Sequence, residues 1–215
     1  MLTNCAALHK LASTLPVFCF PFTETAIPLN GIYFLFEQGE KGHGTNRLVR
    51  IGTHTGKNQL RSRLKQHFLT ENKDRSIFRK NIGRCLLHQT SDPFLKNWEL
   101  DLTPKASRDK FSSTIDWKKQ ASVEGAVSAY IRSNFSFVVI PIEEKTARLT
   151  LESKIISTIS LCKDCSSSPN WLGQHSPKEK IRQSGLWLVN ELYKEPLSKA
   201  DLTYLKSLCD KKYQR

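Results

Sequence analysis

No stretch of this 215-residue chain approaches the roughly 18 consecutive apolar residues that a membrane-crossing helix needs. The early apolar segment LASTLPVFCFPF is interrupted by Pro16 and Pro21 and has only Lys10 as a basic residue before it, so it does not read as a secretory leader. Acidic residues are scarce: 20 Asp and Glu stand against 33 Lys and Arg, a formal charge of +13. An excess of that sign favours phosphate-rich partners, nucleic acid first, and its effect weakens as salt rises. The six cysteines lack the regular spacing of a disulfide framework, which is the pattern of reduced thiols. Internal repeats and low-complexity tracts are absent as well. Disorder is excluded by an apolar share of 39% that includes 11 Phe and 4 Trp. The expectation is a soluble, cytoplasmic protein with no membrane partner, built as one domain with appended segments.

Periodicity supplies the elements. Gly31 to Gln38, GIYFLFEQ, is aromatic and branched and reads as a strand after the Pro28–Gly31 turn signal; RLVRIGT reads as a second. The glycine-rich GEKGHG between them makes an antiparallel hairpin. A helix is expected from about Asn58, with Leu60, Leu64 and Phe68 on one side, and another over SIFRKNIGRCLL with Ser76 as N-cap. His88 to Gln120 reads as an irregular insertion. ASVEGAVSAYIRSN returns to helical spacing, and FSFVVIPI is an apolar run suited to the centre of a sheet. A helix from Thr146 to Ser160 and a polar one from about Ser198 complete the chain. The predicted fold is α+β, a three-stranded antiparallel sheet flanked by helices. Residues 1–27 form an N-terminal extension, 28–175 the main domain, and 176–215 a C-terminal extension packed on it.

On the Thr146–Ser160 helix, Leu149, Glu152, Ile155, Ile156 and Ile159 share one stripe, which turns Glu152 toward the core. A lone buried ionised carboxylate costs several kcal/mol, so Glu152 must be protonated, paired or bound to a cation. Arg63 and His67 are one helical turn apart and can address one object at the core's edge, away from a solvated face of Ser62 and Gln66. A permanently charged guanidinium suits a phosphorane, and an imidazole can move a proton near neutral pH. The alternative is a basic helix on the DNA backbone, a description that Arg61 and Lys65 fit.

In order and spacing, GIY at 31–33, RIG at 50–52 and Leu60-x-x-Arg63-Leu64-x-x-His67 resemble the GIY-YIG nuclease superfamily. Glu152 matches in kind the family's later glutamate, and Asn170 in SPNWLG the asparagine that often closes the motif set. The resemblance implies a phosphodiester hydrolase that uses one divalent cation, Mg²⁺ or Mn²⁺. It implies Glu152 as metal ligand, Arg63 as transition-state stabiliser, Tyr33 as positioner or general base, and His67 as assistant. DNA is the implied substrate, RNA remains open, and a single site per chain leaves a homodimer open. Restriction, defence, repair and mobile-element biology are the settings such enzymes suit.

One departure stands out: Arg50 replaces the tyrosine of YIG, and an arginine cannot act as a base. Tyr33 or a neutral His54 would take that task, with Arg50 on a phosphate; alternatively the chain is an inactive nucleic-acid-binding module. A structural partner within a larger complex is the remaining reading. Arg79 and Lys80 in RSIFRKNIGR are candidates for a DNA groove. Cys162-x-x-Cys165, with His175 nearby, reads as free thiols because a second pair is missing. His9 and His43 read as loop residues, and Trp171 and Trp187 as anchors for the C-terminal segment.

Overall fold

The computed structural model describes residues 3–213. In chain order it has helix α1 (Asn4–Ser13), strand β1 (Phe18–Cys19) and the hairpin of β2 (Ile32–Gly42) and β3 (Thr45–Gly52). Helices α2 (Leu60–Phe68), α3 (Ile77–Gln89), α4 (Leu95–Trp98), α5 (Lys105–Phe111) and α6 (Trp117–Asn134) lead into β4 (Phe135–Ile140). Helices α7 (Lys145–Ser160), α8 (Glu179–Ser184) and α9 (Lys199–Tyr213) follow.

The α+β class is as expected, and the antiparallel sheet runs β1-β4-β2-β3. Its three main strands are joined at one edge by the two-residue β1, where Phe18 stacks on Phe137 at 5.2 Å. Both faces are covered, which is why β2 and β4 read as nearly continuous apolar runs. Tyr33, Leu35 and Val49 pack with Leu64, Phe68 and Phe78 on one side. Ile32, Phe34 and Ile51 pack with Leu8, Ile155 and Leu205 on the other.

The hairpin is longer than GIYFLFEQ suggests, because the chain keeps pairing through Gly42 and turns only at His43 and Gly44, at φ of 52° and 76°. Two consecutive positive φ angles match the twist of a two-residue hairpin turn. Register pairs Leu35 with Arg50 but Phe36 with Leu48, so Val49 is an extra residue. Arg50, opposite Leu35, shares the face of Leu35 and Tyr33, and the bulge turns Val49 to that same face.

The segment His88–Gln120 is not irregular. It holds α4, α5 and the first turn of α6, whose N-cap Asp116 accepts from the Lys119 amide. Short helices give little periodic signal, and α6 starts before its buried positions Val123, Val127 and Ile131. Asn58 does not open α2: its φ of 58° is left-handed, and the helix begins at Leu60. Ser76 caps α3 as its position suggests, accepting from the Arg79 amide at 3.2 Å.

Candidate active site

Three elements bring an aromatic–imidazole–hydroxyl chain together. Tyr33 on β2 places its Oη 2.7 Å from His67 Nε2 on α2, and His67 Nδ1 lies 2.7 Å from Oγ of Ser76, the cap of α3. Tyr33 and His67 are fully buried. Tyr33 reaches this position because its cross-strand partner is Gly52: a Cβ there would lie 2.2 Å from Tyr33 Oη. The glycine that follows Ile51 is therefore needed for space rather than for its backbone angles. Burial, reinforced by the fields of Arg63, Arg50 and Arg79, pushes His67 well below the usual imidazole range. It is thus a neutral ring at pH 7, able to accept one proton and to donate another.

Beyond β3 the chain is tied down by side chains. Thr53 Oγ1 donates to the Gly31 carbonyl at 2.7 Å, and Asn30 and Asn58 bond each other across the loop. His54 lies 2.6 Å from the Gly56 carbonyl through Nδ1 and 3.4 Å from the Gly31 amide through Nε2. The Thr53 amide donates to Glu152 Oε1 on α7 at 3.0 Å. Burial raises the Glu152 carboxyl, while the field of Arg50 and the Thr53 amide pull it back. Beside Thr53 opens a cavity of about 280 Å³ lined by Thr53, His54, Thr55, Gln59, Ser62, Arg63 and Gln66. Arg63 is half-buried on its wall, with Nη1 on the Gln66 side chain and the Arg75 carbonyl, both at 3.1 Å.

Tyr33, Arg63, His67, His54 and Glu152 thus converge on the end of the hairpin where β2 begins and β3 stops. Glu152 lies at the edge of its helix's buried stripe, which is Leu151, Ile155, Ile156 and Ile159, and Leu149 is only half-buried. The salt-bridge alternative for Glu152 is not met, since no cation within 4.0 Å pairs with it among the described residues. Gln66 is half-buried and holds Arg63, and together with the exposed Ser62 it lines the same cavity as Arg63 rather than a face turned away from it.

Other expectations are corrected by burial. Arg79 is 0% exposed, pairs with Glu124 at 2.7 Å and spends further donors on Ser128 and on the His67 carbonyl. Lys80 is 8% exposed and bonds Asp74 and the Glu99 carbonyl. Neither faces a DNA groove; both are internal cations whose charge is balanced within the fold. Asn170 is exposed beside Trp171, whose indole is tied to Glu37, and it does not reach the cavity. Arg61 donates to the carbonyls of Ile27 and Thr25, fastening the entry to the sheet, while Lys65 keeps a solvated pair with Glu24 at 2.9 Å.

Arg50 is buried, its guanidinium 5.3 Å over the Phe78 ring with one arm on the Trp187 carbonyl, and its Nε has no partner among the described residues. It lies behind Glu152 and His67 rather than on an open phosphate site.

Several residues gave no motif signal. Ser76 was legible only as a cap, yet it also holds His67. Glu37 accepts from Trp171, Trp187 and Tyr130, so the two tryptophans do anchor the C-terminal segment, on a carboxylate that alternation alone could not single out. His9 is buried on α1 rather than in a loop, and it meets His43, Cys5 and Cys165 at the opposite end of the hairpin. His175 instead contacts Gln89.

The donor set at Glu152 suits a hard cation. One oxygen is held by Thr53, the other has no partner among the described residues, and a burial-raised carboxyl gains most from a positive neighbour. A single carboxylate completed by water and substrate phosphate is the usual habit of Mg²⁺.

Comparison with curated proteins and with solved structures finds no match. A family model described as the GIY-YIG domain matches residues 21–214, which takes in the hairpin, the Arg63 helix, Glu152 and the segment beyond α7. The chain belongs to the GIY-YIG nuclease superfamily.

Proposed function

We propose that the protein is a metal-dependent endonuclease that hydrolyses phosphodiester bonds in DNA. The observation that carries this reading is the meeting of the Tyr33–His67 pair, the Arg63 guanidinium and the Glu152 carboxylate at one end of the hairpin, beside an open cavity. Tyr33 Oη orients the attacking water or takes its proton, with His67 Nε2 2.7 Å from the phenol as its hydrogen-bond partner. Burial and the arginine fields keep His67 neutral, so it positions the phenol rather than holding its proton, and Ser76 fixes the ring. Arg63 stabilises the charge that grows on the phosphoryl oxygens, with Nε and Nη2 available for two-point contact. Glu152 holds Mg²⁺ or Mn²⁺, which when bound supplies Lewis-acid polarisation of the phosphate.

Arg50, which stands where the family has tyrosine, supplies fixed positive charge behind Glu152 and adds to the burial and the Arg63 field that keep His67 neutral. His54 orders the loop after β3, since its ring nitrogens face backbone groups. Of the α2 residues, Ser62, Arg63 and Gln66 line the cavity where the nucleic-acid backbone would run, while Arg61 and Lys65 lie on the helix face toward Glu24–Ile27 and add only to the surrounding positive field; RNA meets the same chemistry. A double-strand break takes two hydrolyses, by two copies of the chain or by successive nicks. Restriction, defence, repair and mobile-element biology are all consistent settings.

The test is incubation of plasmid with the purified full chain and Mg²⁺ beside Glu152→Gln. Nicking by the wild type that vanishes in the variant is the expected outcome. Cleavage unchanged in the variant would remove Glu152 from the site, and binding without cleavage of any DNA or RNA form would make the protein a binding module.

A further inference from the structure

Five soft donor groups from three parts of the chain meet at the other end of the hairpin. Cys5 and His9 come from α1, His43 from the β2–β3 turn, and Cys162 and Cys165 from the segment after α7. Donor atoms of Cys5, His9, His43 and Cys165 all lie within 4.8 Å of one another. Cys162 Sγ is 3.4 Å from His43 Nε2, and Cys165 Sγ is 3.4 Å from His9 Nε2. Zinc bonds of about 2.3 Å to sulfur and about 2.0 Å to nitrogen give a tetrahedron with edges of roughly 3.4–3.8 Å. Cys162 and His43 already stand at that spacing, and the donor atoms of Cys5, His43 and Cys165 need to close from within 4.8 Å.

The surroundings are built for it. Cys5, His9 and Cys165 are buried, and no cysteine is in a disulfide. A Cβ on Gly42 would come within 3.0 Å of Cys165 Sγ, so the bare strand lets the sulfur close in on the turn. His9 has both ring nitrogens on backbone groups, Nδ1 at 3.0 Å from the Cys5 carbonyl and Nε2 at 3.2 Å from the Leu48 amide. That leaves three sulfurs and one imidazole without such commitments. Thiol and imidazole donors select zinc over magnesium, and four protein ligands with no open position mark a structural rather than a catalytic ion.

We propose that Cys5, Cys162, Cys165 and His43 bind one structural Zn²⁺, with His9 as the positioning residue behind the sulfurs. The ion staples α1, the hairpin turn and the segment after α7 to one another. It is separate from the Glu152 site: His9 in the cluster meets the Leu48 amide and Glu152 meets the Thr53 amide, five residues further along the chain, roughly 16 Å at the rise of an extended strand.

The experiment measures zinc by mass spectrometry in untagged, thiol-reduced full chain, followed by chelation and titration with Co²⁺. One zinc per chain, a lower Tm after chelation, and an intense thiolate-to-cobalt absorption band are expected. Cys162→Ser and His43→Ala, at the half-buried ligands, should stay folded and lose at least tenfold in zinc affinity, whereas Cys19→Ser and Cys209→Ser keep full occupancy. His9→Gln should keep one cobalt per chain with an unchanged band. Glu152→Gln should also keep its zinc, so failure of the nuclease reading leaves this site intact. Substoichiometric zinc in the reduced wild type, or ligand variants that bind as tightly as the wild type, would overturn the proposal.

Discussion

Gly52 and Tyr33 illustrate how one absent side chain shapes the candidate site. A methyl group at position 52 would have to share space with a buried phenol that is already bonded to His67, and neither ring has room to withdraw. Gly52→Ala is therefore expected to cost about 1–3 kcal/mol of stability through overpacking. It should also lower the cleavage rate on the order of 100-fold through misplacement of Tyr33, read as denaturation midpoint and single-turnover rate. His67 adds a pH dependence. Its folded pKa is depressed below the 6.5 of a free imidazole, so its contribution is present above 6.5 and is lost as pH falls toward the folded value. Below pH 6.5, until the folded value is reached, this single group gives a slope of at most about 1.4 kcal/mol per pH unit. Glu37 and Glu152, whose carboxyls are raised from 4.5 by burial, run the other way, their contribution lost as pH rises through their folded values. His67→Gln should flatten the acid loss of stability seen in urea titrations, and an unchanged slope would mean that His67 is protonated in the fold.

At the scale of elements, the C-terminal segment is part of the sheet's support. The Trp187 amide donates to the Val49 carbonyl at 2.8 Å, its indole reaches Glu37, and its own carbonyl receives Arg50. Trp187→Ala is expected to cost about 3–5 kcal/mol and to expose the chain after α7 to limited proteolysis. Legibility in the sequence followed periodicity and local chemistry. The hairpin, α2, the Ser76 cap and β4 declared themselves because apolar spacing and turn residues are local signals. The short helices α4 and α5 did not, since four and seven residues carry too few apolar positions. Arg79 and Lys80 read as a DNA surface because their partners, Glu124 and Asp74, are assigned only by packing. The catalytic candidates were legible as an ordered motif set. The role of the Glu37 carboxylate was not, because its partners Tyr130, Trp171 and Trp187 lie far along the chain, and those of Ser76 and Gln66 were not because helical spacing alone does not name the side chain each one holds.

For the whole molecule, the excess of 13 positive charges survives folding, because each internal pair such as Arg47–Glu40 or Arg79–Glu124 removes one charge of each sign. The two faces of the sheet are assigned different work. One carries the Tyr33–His67 chain, and the other binds α1, α7 and α9, with Glu152 reaching from α7 to the strand end. In the proposed reading, charge brings nucleic acid to the surface and the hairpin end supplies the chemistry. Separating those two contributions is the most direct test. DNA affinity and single-turnover cleavage are measured together across a Mg²⁺ titration for the wild type, Arg63→Ala and Glu152→Gln. The expected result is a metal-dependent rate that drops about 100-fold or more in both variants while DNA affinity changes only severalfold. A rate that is independent of the metal, or variants that cleave as fast as the wild type, would contradict the assignment of this site.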